Sequence, residues 1–594
     1  MRNRYIHSVY DDRGLLIRLA ADLLVSNVAM LLGVLVTVLI WSTSWAASRG
    51  ELFDSIFFNF WAPNIPVFNM ACLIGFLFSG LYSVPSDSSY TNRGMAVVRA
   101  VAAALFLYLL LVVVFEIKLA RSTLISGWVF IFSVLMFIRL SRVYFLRNYR
   151  FVSYRGINGE TEAQRREMAV SRQQDGWAPQ EKLLKSAPWP YFDQDDIITT
   201  AMVLRTGKVN RWTGRECQQF EGEFAAFCGS KYAISMANGT VALDLALYAL
   251  GIGSGDEVVV TPRTFIASAS CIYLCGATPV FADVDRESQN ITRATIEKVI
   301  TAKTRAIMVV HLAGWPCEMD PILDLASEHN LKVIEDCAQC HGAVYFSRYP
   351  GKGSVKNLTP IVRDGVTLYP RLTGSLGHMA GFSFCQDKIM STGGEGGMLL
   401  TDDEALWEKA WAFKDHGKSY ETVYRREHLP GFRWLHESFG TNWRMTEMQA
   451  AIGRRQLLKL PGWLAVRRRN AEILTEAFLK LPGLRVTAPP DNVWHAYYKY
   501  YAFVRPERLK EGWNRDRIMN AVTAEGVPCF SGSCSEVYLE KAFDGNGLRP
   551  AERLPAAKEL GETSLMFLVH PTLTEKDMKT VADAVGKVMA EAIK

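Results

Sequence analysis

The 594-residue chain has little net charge for its length, +6, and no basic stripe of the kind that follows a nucleic-acid backbone. Nucleic acid is therefore not expected as a partner. Its eleven cysteines have no small-domain spacing, which favours free thiols in a reducing compartment over a disulfide framework. Charge is scarcest in the first quarter, where four apolar runs stand almost unbroken at roughly 19–41, 65–82, 96–115 and 124–145. Each approaches the ~20 residues that a helix needs to cross a hydrocarbon core. The first is too long, and has too much apolar sequence behind it, for a cleaved signal peptide.

What charge there is around these runs is one-sided. Arg2, Arg4, Arg13 and Arg18 precede the first, Arg93 and Arg99 lie between the second and third, and Arg139, Arg142, Arg147 and Arg150 close the fourth. The opposite loops hold only Arg49, Lys118 and Arg121. Basic residues stay on the cytoplasmic side, so the expectation is a four-span transmembrane domain over 1–150 with the N-terminus and everything after Arg150 in the cytoplasm. That corresponds to a bacterial-type inner membrane, with the lipid bilayer as a partner. Asp22, about a turn inside the first run, is expected to snorkel or contact a neighbouring helix. Residues 151–187 are polar and mixed in charge and form a linker, with one short helix expected over 160–172.

From Trp189 onward helix-like and strand-like stretches alternate. Helices are expected over 241–250, 266–275 and 321–328, and strands over 257–261, 279–283, 306–311 and 332–335. This is the pattern of an α/β domain with a largely parallel sheet covered by helices. Ligands on such sheets sit beyond the carboxyl ends of the strands, so the polar residues after each run are the candidates. Asn238-Gly239-Thr240 opens a helix whose free amides and dipole suit a phosphate. Phe265 follows one strand and offers an aromatic face. Asp336, with Gln339 and His341 behind it, follows another. The last candidate is Lys388, five residues after Ser383 and followed by the glycine-rich turn Gly393-Gly394-Glu395-Gly396-Gly397. A phosphate cradle, an aromatic platform, a carboxylate and a lysine in this order are the parts that hold pyridoxal 5'-phosphate.

Several stretches carry a family resemblance: Phe220-Glu221-Gly222-Glu223-Phe224-Ala225, Asn238-Gly239-Thr240-Val241-Ala242-Leu243, Gly253-Ser254-Gly255-Asp256-Glu257-Val258, Glu335-Asp336-Cys337-Ala338-Gln339, the Lys388 stretch, and Asn442-Trp443-Arg444-Met445-Thr446-Glu447. The region from Trp189 to the C-terminus resembles the DegT and StrS family of pyridoxal-phosphate-dependent sugar aminotransferases. The resemblance implies a fold type I transferase, with a large mostly parallel-sheet domain over 188–455 and a small α+β domain over 456–594. It implies that Lys388 bonds the cofactor, Asp336 pairs with the pyridine nitrogen, Gln339 contacts the ring hydroxyl and Phe265 stacks on the ring. Gly239, Thr240 and Ser383 would bind the phosphate. Asn442 would reach the phosphate of a neighbouring subunit, with Arg444 near the substrate there, which implies a homodimer with shared sites. His495, Tyr497 and Tyr498 are candidates for substrate contact, with core packing an equal alternative.

The implied reaction moves an amino group from glutamate to a nucleotide-linked keto-sugar. A dehydratase on the same fold would lack the lysine, and an inactive membrane scaffold would not keep every cofactor position filled. The Phe78-Ser79-Gly80-Leu81-Tyr82 segment resembles the membrane regions of polyprenol-phosphate sugar transferases and membrane-bound nucleotide-sugar dehydratases, which points to a surface-glycan setting. Two features stand apart. Cys337-Ala338-Gln339-Cys340-His341 matches a c-type haem attachment pattern, but such attachment occurs outside the cytoplasm, and packed cysteines behind the cofactor are the expectation; no metal is expected. Residues 345–372 are read as a long loop inserted into the family pattern, basic through Arg348, Lys352, Lys356, Arg363 and Arg371, which either lies near the site mouth and binds substrate phosphate or the anionic membrane surface, or is a plain solvated insertion.

Overall fold

The computed structural model describes Asn69, Met70, Cys72, Ala102, Leu105, Phe106 and residues 188–594, except 352–357, 428–430 and 432. The four apolar runs, apart from those six helical positions, lie outside the described residues, as do their basic flanks, Asp22 and the 151–187 linker. No helix among the described residues is long and apolar enough to cross a membrane. The chain divides into two compact units, Met1–Ala178 and Pro179–Lys594, and the second carries the features that follow.

Its main sheet has seven strands among the described residues. They are β1 (Tyr232–Met236), β2 (Glu257–Val260), β3 (Thr278–Phe281), β4 (Thr304–Val310), β5 (Lys332–Asp336), β9 (Met379–Ser383) and β10 (Gly397–Thr401), in the order β1-β10-β9-β5-β4-β2-β3. The five strands from β9 to β3 pair in parallel, while β10 and β1 pair antiparallel at one edge. The expected largely parallel sheet is therefore present. Val258, Val259 and Val260 are all fully buried, as are Ile307, Met308 and Val309, because helices cover both faces and leave no wet side to alternate towards. Helix α1 (Gly239–Leu250) lies against β9 and β10, and α2 (Ala267–Leu274) packs beside it.

A 32-residue helix, α3 (Glu447–Phe478), starts at a capping box between Thr446 and Gln449 and runs out of the large domain into the C-terminal part. The expected division between 455 and 456 falls inside it. The C-terminal part is α+β. Strands β11 (Leu484–Val486), β13 (Tyr500–Val504) and β14 (Ser564–Phe567) form an antiparallel sheet whose core includes Leu474 and Phe478 of α3 and Val585 and Met589 of the last helix, Glu575–Ala592.

The 345–372 segment differs from expectation. It folds as β6 (Val344–Ser347), β7 (Ile361–Arg363) and β8 (Val366–Leu372), which join β12 (Val493–Trp494) in a four-stranded sheet ordered β12-β6-β8-β7. Asp364 and Gly365 both have positive φ, 50° and 78°, and close the tight β7–β8 turn. That geometry favours an Asp-Gly pair, a hairpin signal hidden here within a run of basic residues. The side chains of Val344, Phe346 and Leu372 make a small core of their own. The basic residues described there have partners in the chain: Arg348 pairs with Asp324, and Arg363 donates to Asn492 at 3.0 Å. Arg371 donates to the Ser375 carbonyl, while Lys352 and Lys356 lie outside the described residues.

Candidate active site

The parallel pairing of β5 with β9 sets Asp336 level with Gly381, and the Cys337 N–H donates to the Gly381 carbonyl at 2.8 Å. The ends of these two strands therefore deliver Asp336 and the Lys388 turn to the same edge. Asp336 is 5% exposed and accepts from the Ser268 hydroxyl of α2 at 2.7 Å and from the Ala338 N–H at 3.0 Å. Burial raises its proton affinity more than these donors and the charge of Lys388 lower it. A protonated ring nitrogen would supply the close cationic partner that this buried carboxylate needs in order to stay ionised.

Lys388 is held at both ends. Its carbonyl accepts from the Trp189 indole N–H at 2.8 Å, and its Nζ lies 3.4 Å from Asp387 Oδ1 and 3.5 Å from the Tyr498 hydroxyl. Tyr498 also donates to Asp387 Oδ2.

Opposite this turn, α1 begins. The Asn238 side chain caps it by accepting from the Val241 N–H at 3.0 Å, and Gly239 and Thr240 form its first turn. A Cβ built on Gly239 would stand 2.6 Å from the Ser383 Cβ, so glycine alone lets the helix start approach Ser383 this closely. Backbone amides, the positive helix end and a serine hydroxyl converge there, as a phosphate group requires. Phe265, just past the end of β2, is 68% exposed, a large apolar face on the side where the strands end. Gln339 is buried, and its side-chain oxygen accepts from the Ala313 N–H at 2.8 Å. Lysine, carboxylate and phosphate cradle thus fit pyridoxal phosphate in chemistry and in placement. The donors at Asp336 and the cradle at Gly239 carry that fit independently of each other.

The segment with Asn442 and Arg444 runs beside β1, where the Ala237 N–H donates to the Trp443 carbonyl at 2.8 Å. Asn442 is exposed. Arg444 is paired with Asp415, a fully buried carboxylate that also accepts from Lys418 at 3.0 Å. His495 is 7% exposed, stacked on Tyr497 with ring centres 3.9 Å apart and close to Trp315. Its Nδ1 accepts from the Tyr497 N–H, and burial pushes its pKa down to about 3. His495 thus sits as an aromatic-packing residue that shapes the segment leading to Tyr498.

The Cys337–His341 stretch is packed interior. Cys337, Cys340 and His341 have no exposed surface, and burial raises the Cys337 thiol well above its ordinary range. His311, Cys337 and Cys340 place their ligating atoms within 4.8 Å of one another. Both His311 ring nitrogens are already engaged, one with Glu335 at 3.0 Å and the other with the Cys317 N–H at 2.9 Å, so the ring has no nitrogen left for an ion.

Sequence reasoning does not assign a role to Ser268, Trp189 or Arg467. Arg467 is buried on α3, donates to the Tyr497 and Tyr498 carbonyls at 3.2 and 3.3 Å and lies over the Trp189 ring at 5.0 Å. Burial pushes its pKa down to about 9. Nothing in the residue types announced these contacts, which depend on α2 and α3 folding back on the strand ends.

The sequence profile of the DegT/DnrJ/EryC1/StrS aminotransferase family matches residues 190–586. The GDP-perosamine synthase of Caulobacter vibrioides is 38% identical over 384 residues, 63% of this chain and 91% of that protein. The dTDP-3-amino-3,4,6-trideoxy-alpha-D-glucose transaminase of Streptomyces venezuelae is 34% identical over 391 residues, 65% of this chain and 91% of that one. Among solved structures, an aminotransferase from Psychrobacter cryohalolentis superposes with a TM-score of 0.64 at 56% identity, over 68% of this chain and 99% of its own.

Proposed function

Because the chain belongs to the DegT/DnrJ/EryC1/StrS aminotransferase family, whose members depend on pyridoxal phosphate, we propose that it aminates a nucleotide-linked keto-sugar with glutamate as amino donor. The relatives with nucleotide-sugar names support the acceptor class. The observation that carries the reading is the meeting of Lys388 and Asp336 at the adjoining ends of β9 and β5, across from the Gly239 cradle.

When bound, pyridoxal phosphate supplies an electron sink that lets the proton on the amine-bearing carbon be removed. The residues do the rest. Gly239, Thr240 and Ser383 bind the phosphate, Phe265 covers one ring face, Gln339 faces the ring hydroxyl, and Asp336 holds the ring nitrogen protonated. Lys388 would bond the cofactor and, as a free amine, would take up and return the proton at that carbon. Asn442 and Arg444 act across the interface of a homodimer, Asn442 on the partner's cofactor phosphate and Arg444 on its substrate. His495 is a weaker candidate for substrate contact, through the segment it orders.

We place the protein in the inner membrane through four spans over 1–150, with the catalytic domain (large part 188–455, small part 456–594) in the cytoplasm beyond the 151–187 linker. Its product would serve a surface polysaccharide or glycoconjugate. The four apolar runs and their basic flanks support this placement. The basic 345–372 segment would bind substrate phosphate or the anionic membrane surface near the site mouth; unchanged kinetics and membrane binding after its deletion would end that idea.

The test is an absorbance spectrum of detergent-purified protein before and after glutamate, with Lys388→Ala alongside. A yellow band that shifts with glutamate and is altered or unresponsive in the variant supports the first half-reaction. Protein that stays colourless with added pyridoxal phosphate refutes it. GDP-, dTDP- and UDP-linked keto-sugars are then offered to the aminated form, and recovery of the yellow band identifies the acceptor.

A further inference from the structure

We propose that Tyr498 is a catalytic residue that carries a proton between Lys388 and Asp387, with Asp387 positioning the phenol and receiving the proton. The proposal rests on Lys388 being the cofactor lysine of the reaction above.

The three groups close a triangle, in which Lys388 Nζ also lies 3.4 Å from Asp387 Oδ1, and the path through the phenol is the one that ends on Asp387 Oδ2. The Tyr498 hydroxyl donates to Asp387 Oδ2, which leaves a phenol lone pair free to face Lys388 Nζ at 3.5 Å. Tyr498 is only 6% exposed, and its backbone is anchored twice: its N–H donates to the Ala313 carbonyl at 2.8 Å, and its carbonyl accepts from Arg467. Ala313 is also the residue whose N–H is fixed by Gln339. One turn therefore sets both the Gln339 amide and the phenol that faces the lysine.

A lysine that removes a proton from carbon must first be a neutral amine. In the proposed step an Nζ–H bond of the Lys388 ammonium breaks as a Tyr498 Oη–H bond forms. The original Oη–H bond breaks as an Asp387 Oδ2–H bond forms. Lys388 ends neutral, Tyr498 is unchanged and Asp387 becomes a neutral acid; no electrons are lost or gained, and the reverse step restores the ammonium.

The surrounding charges keep the carboxylate ionised at rest. Burial raises the proton affinity of Asp387, but the charge of Lys388 leads the influences that hold it below the ordinary carboxylate range, with Tyr498 and Lys499 adding to it. Once Lys388 is neutral its influence disappears while burial stays, so the carboxylate gains proton affinity when it has to accept. Burial together with the Asp387 charge keeps the phenol protonated and so able to relay. Lys499, on the same segment, is pushed down to about 8 by burial, and Arg467 faces the pair from α3. His341, pushed down to about 3 by burial, is uncharged.

The test uses the full-length protein with Tyr498→Phe, Asp387→Asn and Asp387→Glu. Two rates are followed by absorbance: recapture of pyridoxal phosphate by cofactor-stripped protein, and the glutamate half-reaction. Tyr498→Phe and Asp387→Asn are each expected to slow both by about 100-fold, the range of positioned acid–base groups. The KM for glutamate should stay within about twofold, and Asp387→Glu should recover at least about tenfold of the loss, taken from the same range. Rates for Tyr498→Phe within about threefold of wild type, well inside that range, would overturn the proposal. So would a slow Tyr498→Phe beside a fast Asp387→Asn. Should Tyr498→Phe fail to fold, wild-type rates in H2O–D2O mixtures decide the matter: two protons in flight support the relay, and a single proton, passed directly between Lys388 and Asp387, overturns it. Neither rate needs a sugar, so failure to find a keto-sugar acceptor leaves this test readable.

Discussion

The hydroxyl of Ser268, in the first turn of α2, donates to Asp336 Oδ2 at 2.7 Å and so ties the covering helix to the end of β5. The Thr264 hydroxyl lies 2.9 Å from the same Ser268 oxygen, which makes a short buried chain behind the carboxylate. Ser268→Ala removes one of the two local donors that favour the charged Asp336. Hydrogen bonds to charged groups contribute roughly 1.5–3 kcal/mol, so cofactor affinity is expected to fall by about 10- to 100-fold. Equilibrium binding of pyridoxal phosphate to cofactor-stripped protein measures this. Affinity within about twofold of wild type would show that Ala338 alone suffices.

Asp336→Asn keeps the shape of the site and removes its charge. The variant should still bond the cofactor through Lys388, because no contact of that side chain is lost, yet the glutamate half-reaction should slow by at least about 100-fold. Stopped-flow absorbance separates the two effects. A normal half-reaction rate would mean that the ring nitrogen is held protonated by another group.

Gly239→Ala tests the cradle by shape. The added methyl would sit 2.6 Å from the Ser383 Cβ, so either the helix start or the serine has to retreat. Cofactor affinity should drop at least about tenfold, a cost of some 1.4 kcal/mol. Gly222→Ala, whose added carbon meets nothing within 4 Å, is the control and should leave binding unchanged.

How much of this was legible beforehand depended on whether a residue acts within its own stretch or across the fold. The strand ends carrying Asp336 and Lys388, and the helix start at Gly239, were readable because a run of apolar residues followed by one polar group marks where a parallel strand stops. The β6–β8 hairpin reads as a loop in the sequence. Its strands are short and half-polar, and the Asp364-Gly365 turn was passed over as part of a basic run. Ser268 and Arg467 cannot be read at all, since each acts through a contact between elements that sequence spacing does not bring together. His495 was legible only as an aromatic-rich neighbourhood, and its pairing with Tyr497 decides its placement.

Two buried histidines set an acid limit on stability. His341 and His495 are pushed from an ordinary 6.5 to about 3 by burial, so below pH 6.5 the unfolded chain takes up protons that the folded chain refuses. More protons on the unfolded state means that stability rises with pH and is lost as pH falls from about 6.5 towards 3. Each group adds a slope of up to about 1.4 kcal/mol per pH unit. Urea midpoints at pH 7, 6 and 5 should fall progressively. His341→Phe, whose ring would remain among Phe382 and Phe384, should remove one proton's share of the slope.

Asp415 presents the opposite case, a buried carboxylate kept charged. Burial alone would favour its neutral form, but Lys418, Lys414 and Arg444 together outweigh it and lower its pKa. Lys414, fully buried and pushed down to about 7, already has no hydrogen-bond partner for its Nζ. Asp415→Ala would therefore leave buried cations without their acid, and breaking a buried pair from one side costs about 3–5 kcal/mol. The urea midpoint should fall accordingly. Asp415→Asn keeps the volume but not the charge, and should free Arg444 from its fixed position. If Arg444 contacts substrate across a dimer interface, that variant raises the KM for the keto-sugar while leaving the glutamate half-reaction intact. Equal effects on both half-reactions would place Asp415 in the scaffold alone.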